Sequence, residues 1–210
     1  MIFADRRDAG KQLAELLKGL EIENPVVLAL PRGGVVAGAE VAAALNAPLD
    51  LAVAKKIGHP QNPEAAVGAV SEDGQVYLDE RVQDLVDPAW LNKEAARKVE
   101  EAKQLRKQYT GRTDPPSLKE KTAVLVDDGI ATGSTMFAAI MSARARGASK
   151  VVVAVPVGPP STLQRLRALA DDVVAVAAPE FLFAVGAHYA DFRQVSDEEV
   201  IATLSQCHST

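Results

Sequence analysis

One segment, residues 124–136, restricts the fold of this 210-residue chain more than any other. Its first three residues, 124–126, are apolar and predict a buried strand of a parallel sheet. Asp127 and Asp128 follow the strand directly, then come small residues, and a helical pattern starts at Met136. Strand, turn and helix in this order are typical of an open α/β sheet, in which ligands bind beyond the carboxyl ends of the strands.

The turn at residues 129–135 has features that suit a phosphate. Small residues before a helix leave several backbone N–H groups open to one point. Thr132, Ser134 and Thr135 add hydroxyl donors. The acids before the turn would repel a phosphate, so they are better suited to ribose hydroxyls or to the water shell of Mg²⁺. The segment therefore predicts a site for a phosphorylated sugar.

Two other phosphate-binding motifs are excluded by spacing. A P-loop has four residues between its glycines and then a lysine. Here Gly129 and Gly133 enclose three residues, and Ser134 takes the place of the lysine. The dinucleotide fingerprint Gly-x-Gly-x-x-Gly is absent. The remaining alternative is an ordinary strand, turn and helix, in which the acids only cap the helix.

The order of apolar run, Asp-Asp, small residues with Thr-Gly, and Ser-Thr resembles the phosphoribosyl pyrophosphate (PRPP) signature of type I phosphoribosyltransferases. The resemblance implies a single α/β domain over residues 1–210, with an open, mostly parallel twisted sheet flanked by helices. It also implies an inserted flexible segment with a hairpin and a helix at residues 58–111. Residues 179–210 would form a small hood and a C-terminal helix.

The resemblance implies transfer of the 5-phosphoribosyl group of PRPP to a nitrogenous acceptor base, with release of pyrophosphate. The enzyme would need Mg²⁺, bind PRPP and a small base, and act in nucleotide metabolism, and the resemblance is compatible with a homodimer. Asp127 and Asp128 would bind ribose hydroxyls and, through water, the metal. The PRPP-binding residues implied are Arg32, Gly33, Gly34, Asp127, Asp128, Gly129, Ile130, Ala131, Thr132, Gly133, Ser134 and Thr135.

Two basic motifs are expected at the same edge of the sheet. The loop 31–34, Pro-Arg-Gly-Gly, follows the first strong strand, and its glycines let the backbone approach an anion. Lys55 and Lys56 end the strand predicted at residues 49–54. The resemblance assigns the loop to pyrophosphate and makes Arg32, Lys55 and Lys56 catalytic candidates beside the two acids. An ordinary turn and a solvated lysine pair are the alternative.

The segment 58–111 is predicted to hold a hairpin around Ser-Glu-Asp-Gly at residues 71–74, followed by a charged helix over residues 87–109. A thin apolar stripe predicts that this helix is weakly held to the core. In the family a loop here closes over the substrates. The basic residues that could then reach pyrophosphate are Arg97, Lys98 and Arg106, and a solvated helix face is the alternative.

The acceptor is not fixed by the sequence. Phe181, Phe183 and Tyr189 fall where the family places its hood, and a hydrophobic plug under a loop explains them equally well. Enzymes acting on hypoxanthine and guanine usually carry a further acid where this chain has Ala131. The pattern resembles adenine- or uracil-type members more closely.

Composition excludes several other functions. The net charge of −5 gives no basic field for nucleic acid. Cys207 is the only cysteine, so an internal disulfide is impossible and a reducing compartment is expected. The first residues turn charged at once and lack the core of a signal peptide. No apolar run approaches the roughly 20 residues of a membrane helix, so we expect a cytoplasmic protein without a membrane partner.

Two alternatives to a transferase remain open. One is a regulator that senses PRPP on the same fold without turnover. The other is a hydrolase of phosphoribosyl compounds, in which water replaces the acceptor. The basic residues Arg32, Lys55 and Lys56 favour turnover over sensing.

Overall fold

The computed structural model of the chain describes residues 2–81 and 86–207, without the side chains of residues 63 and 64. The ends of the predicted 1–210 domain and part of the 58–111 segment therefore lie outside the described residues. In chain order the elements are α1 (Arg6–Leu17), β1 (Pro25–Ala29), α2 (Gly33–Leu45), β2 (Leu49–Leu51), β3 (Ala54–His59), β4 (Asn62–Ser71), β5 (Val76–Leu78), α3 (Pro88–Thr110), β6 (Thr122–Val126), α4 (Ser134–Ala145), β7 (Lys150–Val157), α5 (Pro160–Arg167), β8 (Asp172–Ala177), a short 3-10 helix (Val185–His188) and α6 (Asp197–Cys207).

The main sheet has five parallel strands in the order β2-β1-β6-β7-β8. Strands β1 and β6 are direct neighbours and end level with each other, because Ala29 pairs with Val126. Their carboxyl ends therefore open side by side at one edge of the sheet. This confirms the α/β fold with a parallel sheet that the sequence predicts.

Alternating residues of the buried strands face two helical layers, as the pleat of a strand requires. On one face, Val27 and Val124 pack with α1, α2, α6 and the C-terminal half of α3. On the other face, Leu28 and Leu125 pack with α4 and α5. Both faces of the central strands are thus covered, which explains why their sequences are apolar runs rather than alternating patterns.

A second sheet, antiparallel and in the order β3-β4-β5, lies against α3 and α4. The predicted hairpin around residues 71–74 is confirmed, since β4 pairs with β5 across this turn. The strand predicted at residues 49–54 is wrong in its extent. Ala52 still donates its N–H to Ala29 of β1 at 3.0 Å, but the Val53 carbonyl accepts from Glu72 at 2.9 Å. The chain therefore passes from one sheet to the other at this point.

Helix α3 is bound to the core much more firmly than its composition predicts. The Arg106 side chain is fully buried. Its Nε donates to Glu72 Oε2 at 2.5 Å, its Nη1 to Asp50 Oδ1 at 3.0 Å and its Nη2 to the Leu51 carbonyl at 2.6 Å. The expectation of a weakly held helix is therefore wrong at its C-terminal half, where one arginine joins it to the edge strand β2 and to the hairpin.

The helix ends follow the local chemistry of their sequences. The Asp5 side chain accepts the N–H of Asp8 at 2.8 Å and caps α1. Ser196 accepts the N–H of Glu199 at 3.2 Å and caps α6. A bilayer-crossing helix, which needs both length and a continuous apolar surface, is not found among the helices of residues 2–81 and 86–207.

Candidate functional site

The two motifs predicted at the edge of the sheet are in direct contact. A Cβ added to Gly33 would lie 1.8 Å from Asp128 Oδ2, and one added to Gly34 would lie 2.7 Å from the Val126 carbonyl oxygen. Both distances are shorter than a Cβ tolerates, so a side chain at Gly33 would displace the Asp128 carboxylate and one at Gly34 would collide with the backbone of β6. The two glycines are therefore required by the close approach of the first turn of α2 to Asp127 and Asp128, and not by an unusual backbone angle.

Asp127 lies directly beside Asp128 and accepts a hydrogen bond from its backbone. Its Oδ1 accepts the backbone N–H of Asp128 at 2.8 Å. Burial, and then the neighbouring Asp128 carboxylate, raise the pKa of Asp127 well above the usual value. A ligand that brings a cation or hydroxyl donors to this position would offset the cost of the buried charge.

Asp128 is held by a cation that sequence reasoning missed. Arg6, the first residue of α1, donates from Nε to Asp128 Oδ2 at 2.7 Å. The same guanidinium donates from Nη1 to the Arg193 carbonyl at 2.8 Å and lies 3.8 Å from the centre of the Phe192 ring. The Tyr189 hydroxyl donates to the Asp128 carbonyl. The sequence hinted at this cation only through the two arginines, Arg6 and Arg7, at the start of α1.

The turn after the acids has the backbone geometry of a small-residue loop. Gly129 has a φ of 151° and Gly133 a φ of 78°, a region that side chains disfavour. Ile130 donates its N–H to the Val157 carbonyl of β7 at 2.9 Å, and Thr162 donates its hydroxyl to the Ala131 carbonyl at 2.7 Å. The N–H of Ile130 and the carbonyl of Ala131 thus fix the loop to β7 and α5.

Helix α4 begins at Ser134, with Gly133 as its N-cap. Within the described chain no side chain caps this end. The first-turn N–H groups of a helix have no intrahelical partners, and the helix dipole adds positive potential there. Thr132 at the mouth of the turn is exposed. This end of α4 can therefore accept an oxyanion such as a phosphate.

The basic candidates are not assembled around the two acids. The peptide bond between Pro31 and Arg32 is cis. The Arg32 guanidinium lies 3.5 Å from Asp197 at the start of α6. Lys55 and Lys56 belong to β3 and so do not end the strand before it. In the described part of the chain neither lysine forms an ion pair with Asp127 or Asp128.

The three basic candidates on α3 are also engaged elsewhere. Arg97 pairs with Glu94 and Glu101 on its own helix, and Lys98 pairs with Glu101. Arg106 is enclosed by the carboxylates of β2 and the hairpin, as described above. The suggestion that Arg106 reaches pyrophosphate is therefore wrong, because no face of its guanidinium is open to a ligand.

The aromatic residues of the C-terminal segment divide into two groups. Tyr189 is buried and packs against Phe3, with ring centroids 5.2 Å apart. Phe181 and Phe183 are 82% and 97% exposed and line an open cavity of about 370 Å³ beside Thr132. One aromatic thus serves as the hydrophobic plug, and the other two are free to contact a ligand at the mouth of the turn.

Comparison with known proteins identifies relatives of this architecture. A family model described as phosphoribosyl transferase domain matches residues 4–191. Proteins of two Mycobacterium tuberculosis strains, CDC 1551 and H37Rv, which carry the provisional name phosphoribosyl transferase, are each 46% identical over 209 residues. The match covers 99% of this chain and 47% of each relative, so the chain spans about half the length of these curated relatives.

A solved structure has the same fold as this chain. The TT1426 protein of Thermus thermophilus is 45% identical and superposes with a TM-score of 0.84, over 98% of this chain and 99% of that one. The family match includes β1, β6, the acid pair and the turn that leads into α4. The chain belongs to the phosphoribosyl transferase domain family.

Proposed function

We propose that the chain transfers the 5-phosphoribosyl group of PRPP to a nitrogenous acceptor base and releases pyrophosphate. One observation carries the proposal. The acid pair at the end of β6 lies between the open N-terminus of α4 and the closely packed glycines of α2. Such a site offers anion donors on one side and hydroxyl acceptors on the other, as a phosphorylated ribose requires.

We assign each part of the ligand to a part of the site. The N-terminus of α4, with Thr132, Ser134 and Thr135, binds the 5-phosphate. Asp127 and Asp128 accept the ribose hydroxyls and fix the ring. Gly33 and Gly34 let the pyrophosphate approach the backbone, and further PRPP contacts come from Gly129, Ile130, Ala131 and Gly133. Arg32, Lys55 and Lys56 remain candidates for the pyrophosphate, provided that Arg32 exchanges its Asp197 partner for the ligand.

The transfer breaks the bond between C1 and the pyrophosphate oxygen, and the electron pair leaves with pyrophosphate. A nitrogen of the acceptor forms the new bond to C1 and loses its proton to water. Positive charge develops on the ribose in this step. Carboxylates fixed beside the ring stabilise that charge without reorganising. In our proposal, Phe181 and Phe183 exclude water from the acceptor side.

The residues present fit a Mg²⁺ ion. The two adjacent carboxylates are hard oxygen donors, and Mg²⁺ is usually held by one or two acids while it keeps several waters. The raised pKa of Asp127, caused by burial and then by Asp128, means that a nearby cation would be favourable. When bound, the ion would supply positive charge to the pyrophosphate leaving group.

We further propose that residues 1–210 form one domain. In it, residues 58–111 are the inserted flexible segment with a hairpin and a helix, and residues 179–210 are the hood with the C-terminal helix. The stacking of Tyr77 on Phe137, with centroids 4.5 Å apart, supports contact between the hairpin and α4. The single cysteine supports a cytoplasmic setting, where the enzyme would act in nucleotide metabolism.

A PRPP sensor without turnover is the second candidate. It is favoured by the position of Arg32, whose guanidinium pairs with Asp197 and so leaves the predicted pyrophosphate loop without its cation. A hydrolase of phosphoribosyl compounds would use the same site with water as acceptor. These functions differ in their products, and one assay separates them.

The test is pyrophosphate release from PRPP and Mg²⁺ with a panel of purine and pyrimidine bases, together with a blank without acceptor. We expect release with one class of base and loss of release when EDTA removes the metal. Release in the blank would identify a hydrolase. Binding of PRPP by calorimetry without any release would identify a sensor, and neither binding nor release would contradict the proposal.

Charge variants locate the site. Asp127→Asn with Asp128→Asn should weaken PRPP binding by at least about 100-fold, because two charge-assisted contacts are lost. The matched control is Asp171→Asn with Asp172→Asn, which makes the same charge change where β8 begins, at the opposite edge of the sheet. Equal losses in both variants would mean that net charge, and not the acid pair, governs binding.

A further inference from the structure

We propose that Arg6 is the positioning residue of Asp128, and that it sets the affinity of the site for PRPP by holding one oxygen of this carboxylate. The inference rests on the proposed function. It concerns the first residue of α1, which lies 122 positions before Asp128 in the chain. Its basis is the geometry of the contacts around these two side chains.

Arg6 has little freedom to leave Asp128. Its side chain is 10% exposed and that of Asp128 is 15% exposed. Nε donates to Asp128 Oδ2 at 2.7 Å, Nη1 donates to the Arg193 carbonyl at 2.8 Å, and the Phe192 ring lies 3.8 Å from the guanidinium carbon. Two hydrogen bonds and an aromatic face together fix the plane of the guanidinium.

The start of α1 is itself fixed to the rest of the protein. Phe3 donates its N–H to the His188 carbonyl at 2.7 Å, and its carbonyl accepts the N–H of Ala190 at the same distance. Asp5 then caps the helix at the residue before Arg6. Arg6 is therefore presented from a rigid element, as a residue that orients a functional group must be.

Three groups of Asp128 form hydrogen bonds within the described chain, and its second carboxylate oxygen is available to a ligand. Its N–H donates to Asp127, its carbonyl accepts from Tyr189, and its Oδ2 accepts from Arg6. Across residues 2–81 and 86–207, its Oδ1 accepts no hydrogen bond. The contact with Arg6 therefore leaves one defined oxygen for a ligand. Without Arg6 the carboxylate can rotate, and either oxygen can turn away.

Charge gives Arg6 a second effect on the same ligand. PRPP is strongly anionic, and the adjacent carboxylates of Asp127 and Asp128 repel it. Arg32 does not offset this repulsion, because its guanidinium pairs with Asp197. Arg6 is the cation that contacts the acid pair in the described chain. Its removal should weaken PRPP binding strongly and change the KM for the acceptor little.

The experiment measures PRPP binding by calorimetry and steady-state kinetics for Arg6→Gln, Arg6→Lys and the control Arg7→Gln. Arg7 is the next residue of the same helix, is 61% exposed, and pairs with Glu40 at 3.2 Å. We expect Arg6→Gln to raise the Kd and KM for PRPP by roughly tenfold or more, the range of one charge-assisted hydrogen bond. Arg6→Lys should recover part of this loss, and Arg7→Gln should match the wild type.

A double-mutant cycle with Asp128→Asn separates positioning from a general effect on structure. If Arg6 acts chiefly through Asp128, the loss of PRPP affinity caused by Arg6→Gln should be at least about fivefold smaller in the Asp128→Asn background than in the wild type, and the loss that remains is the effect of charge. An equal loss in both backgrounds, or wild-type affinity in Arg6→Gln, would overturn the inference. Should Arg6→Gln fail to fold, Arg6→Lys completes the cycle, and an equal loss in both backgrounds is then again the contradicting result.

The wild type is measured first, so that the two proposals can fail separately. Wild-type protein that does not bind PRPP overturns the proposed function, and this inference with it. Wild-type protein that binds PRPP, together with an unaffected Arg6→Gln, overturns only the role of Arg6.

Discussion

Replacing the buried Arg106 should destabilise the protein more than replacing any exposed arginine of the same helix. Arg106→Met keeps a long side chain but removes the donors to Glu72, to Asp50 and to the Leu51 carbonyl. The Glu72 and Asp50 side chains are 1% and 7% exposed, so water cannot replace the lost partner. Two buried carboxylates are left without their cation.

The expected loss is about 3–5 kcal/mol in the free energy of unfolding, which is the cost of removing one partner of a buried ion pair and leaving the other charge uncompensated. Arg112, whose Nη2 lies 3.9 Å from Asp50 Oδ2, offsets a part of the loss at Asp50. A domain of this kind is stable by about 5–15 kcal/mol, so the variant is still folded at 25 °C wherever the wild type lies above the lower end of that range.

The loss should depend on pH. Burial raises the pKa of Glu72, and the hydrogen bond from Arg106 opposes this shift. Without Arg106 the folded-state pKa of Glu72 rises further above the unfolded value. The folded variant then binds a proton at Glu72 more readily than the unfolded chain does. The stability of the variant therefore increases as the pH falls toward the pKa of this carboxyl in the unfolded chain. The gap from the wild type should therefore be largest near pH 7 and narrow toward pH 5.

Urea unfolding followed by circular dichroism measures both effects. The matched control is Arg97→Met on the exposed face of α3, whose side chain is 58% exposed and pairs with Glu94 and Glu101. This variant should lose less than about 1 kcal/mol, as exposed pairs do. Glu72→Gln added to Arg106→Met should recover part of the loss. Equal losses for Arg106→Met and Arg97→Met would refute the reasoning.

Two further substitutions test the site edge and the hairpin. Gly33→Ala should abolish PRPP binding measured by calorimetry, because its Cβ would lie 1.8 Å from Asp128 Oδ2; retained affinity would mean that the glycine contact is not needed. Asp79→Asn should lower the urea midpoint at pH 6 but not near pH 2, because hydrogen bonds from Arg81 lower the pKa of Asp79 to about 2. The stability contributed by Asp79 is present above its unfolded pKa and is lost as the pH falls through the folded value. A difference from the wild type that stays constant over this range would contradict the assignment.

Local patterns were sufficient to predict the elements that carry the site. A strand of apolar residues followed by two acids and a small-residue turn has few structural solutions, so β6, the turn and α4 follow from residues 122–145 alone. Helix caps at Asp5, Asp87 and Ser196 were also predictable, because a cap depends on residues within one turn of it.

The contacts that tune the site could not be predicted in this way. Arg6 and Asp128 are separated by 122 positions, and nothing local to either residue identifies the other. The sequence also did not predict that β3 joins the hairpin in a second sheet, because that pairing depends on contacts between residues far apart in the chain. The mostly apolar residues 49–54 suit a strand of either sheet, and the backbone hydrogen bond from Glu72 to the Val53 carbonyl, which marks the change of sheet, joins residues 19 positions apart.

One overlooked pattern would have revealed the burial of Arg106. The buried residues of α3 include Ala95, Ala102, Arg106 and Tyr109. With Val99, they follow one another at intervals of four, three, four and three, which is the spacing of a single helix face. An arginine within such a stripe needs buried acidic partners. Asp50 in β2 and Glu72 in the hairpin turn were the acids to consider.

The two arginines show how a structural ion pair differs from one that serves a ligand. Arg106 donates from Nε, Nη1 and Nη2 to partners inside the protein and is fully enclosed, so nothing remains for a ligand. The carboxylate that Arg6 holds is 15% exposed and keeps Oδ1 without a partner in the described chain. An exposed carboxylate oxygen can be bound by water or by a ligand, whereas the enclosed guanidinium of Arg106 can be reached by neither. Loss of Arg106 should therefore reduce stability, whereas loss of Arg6 should reduce PRPP affinity.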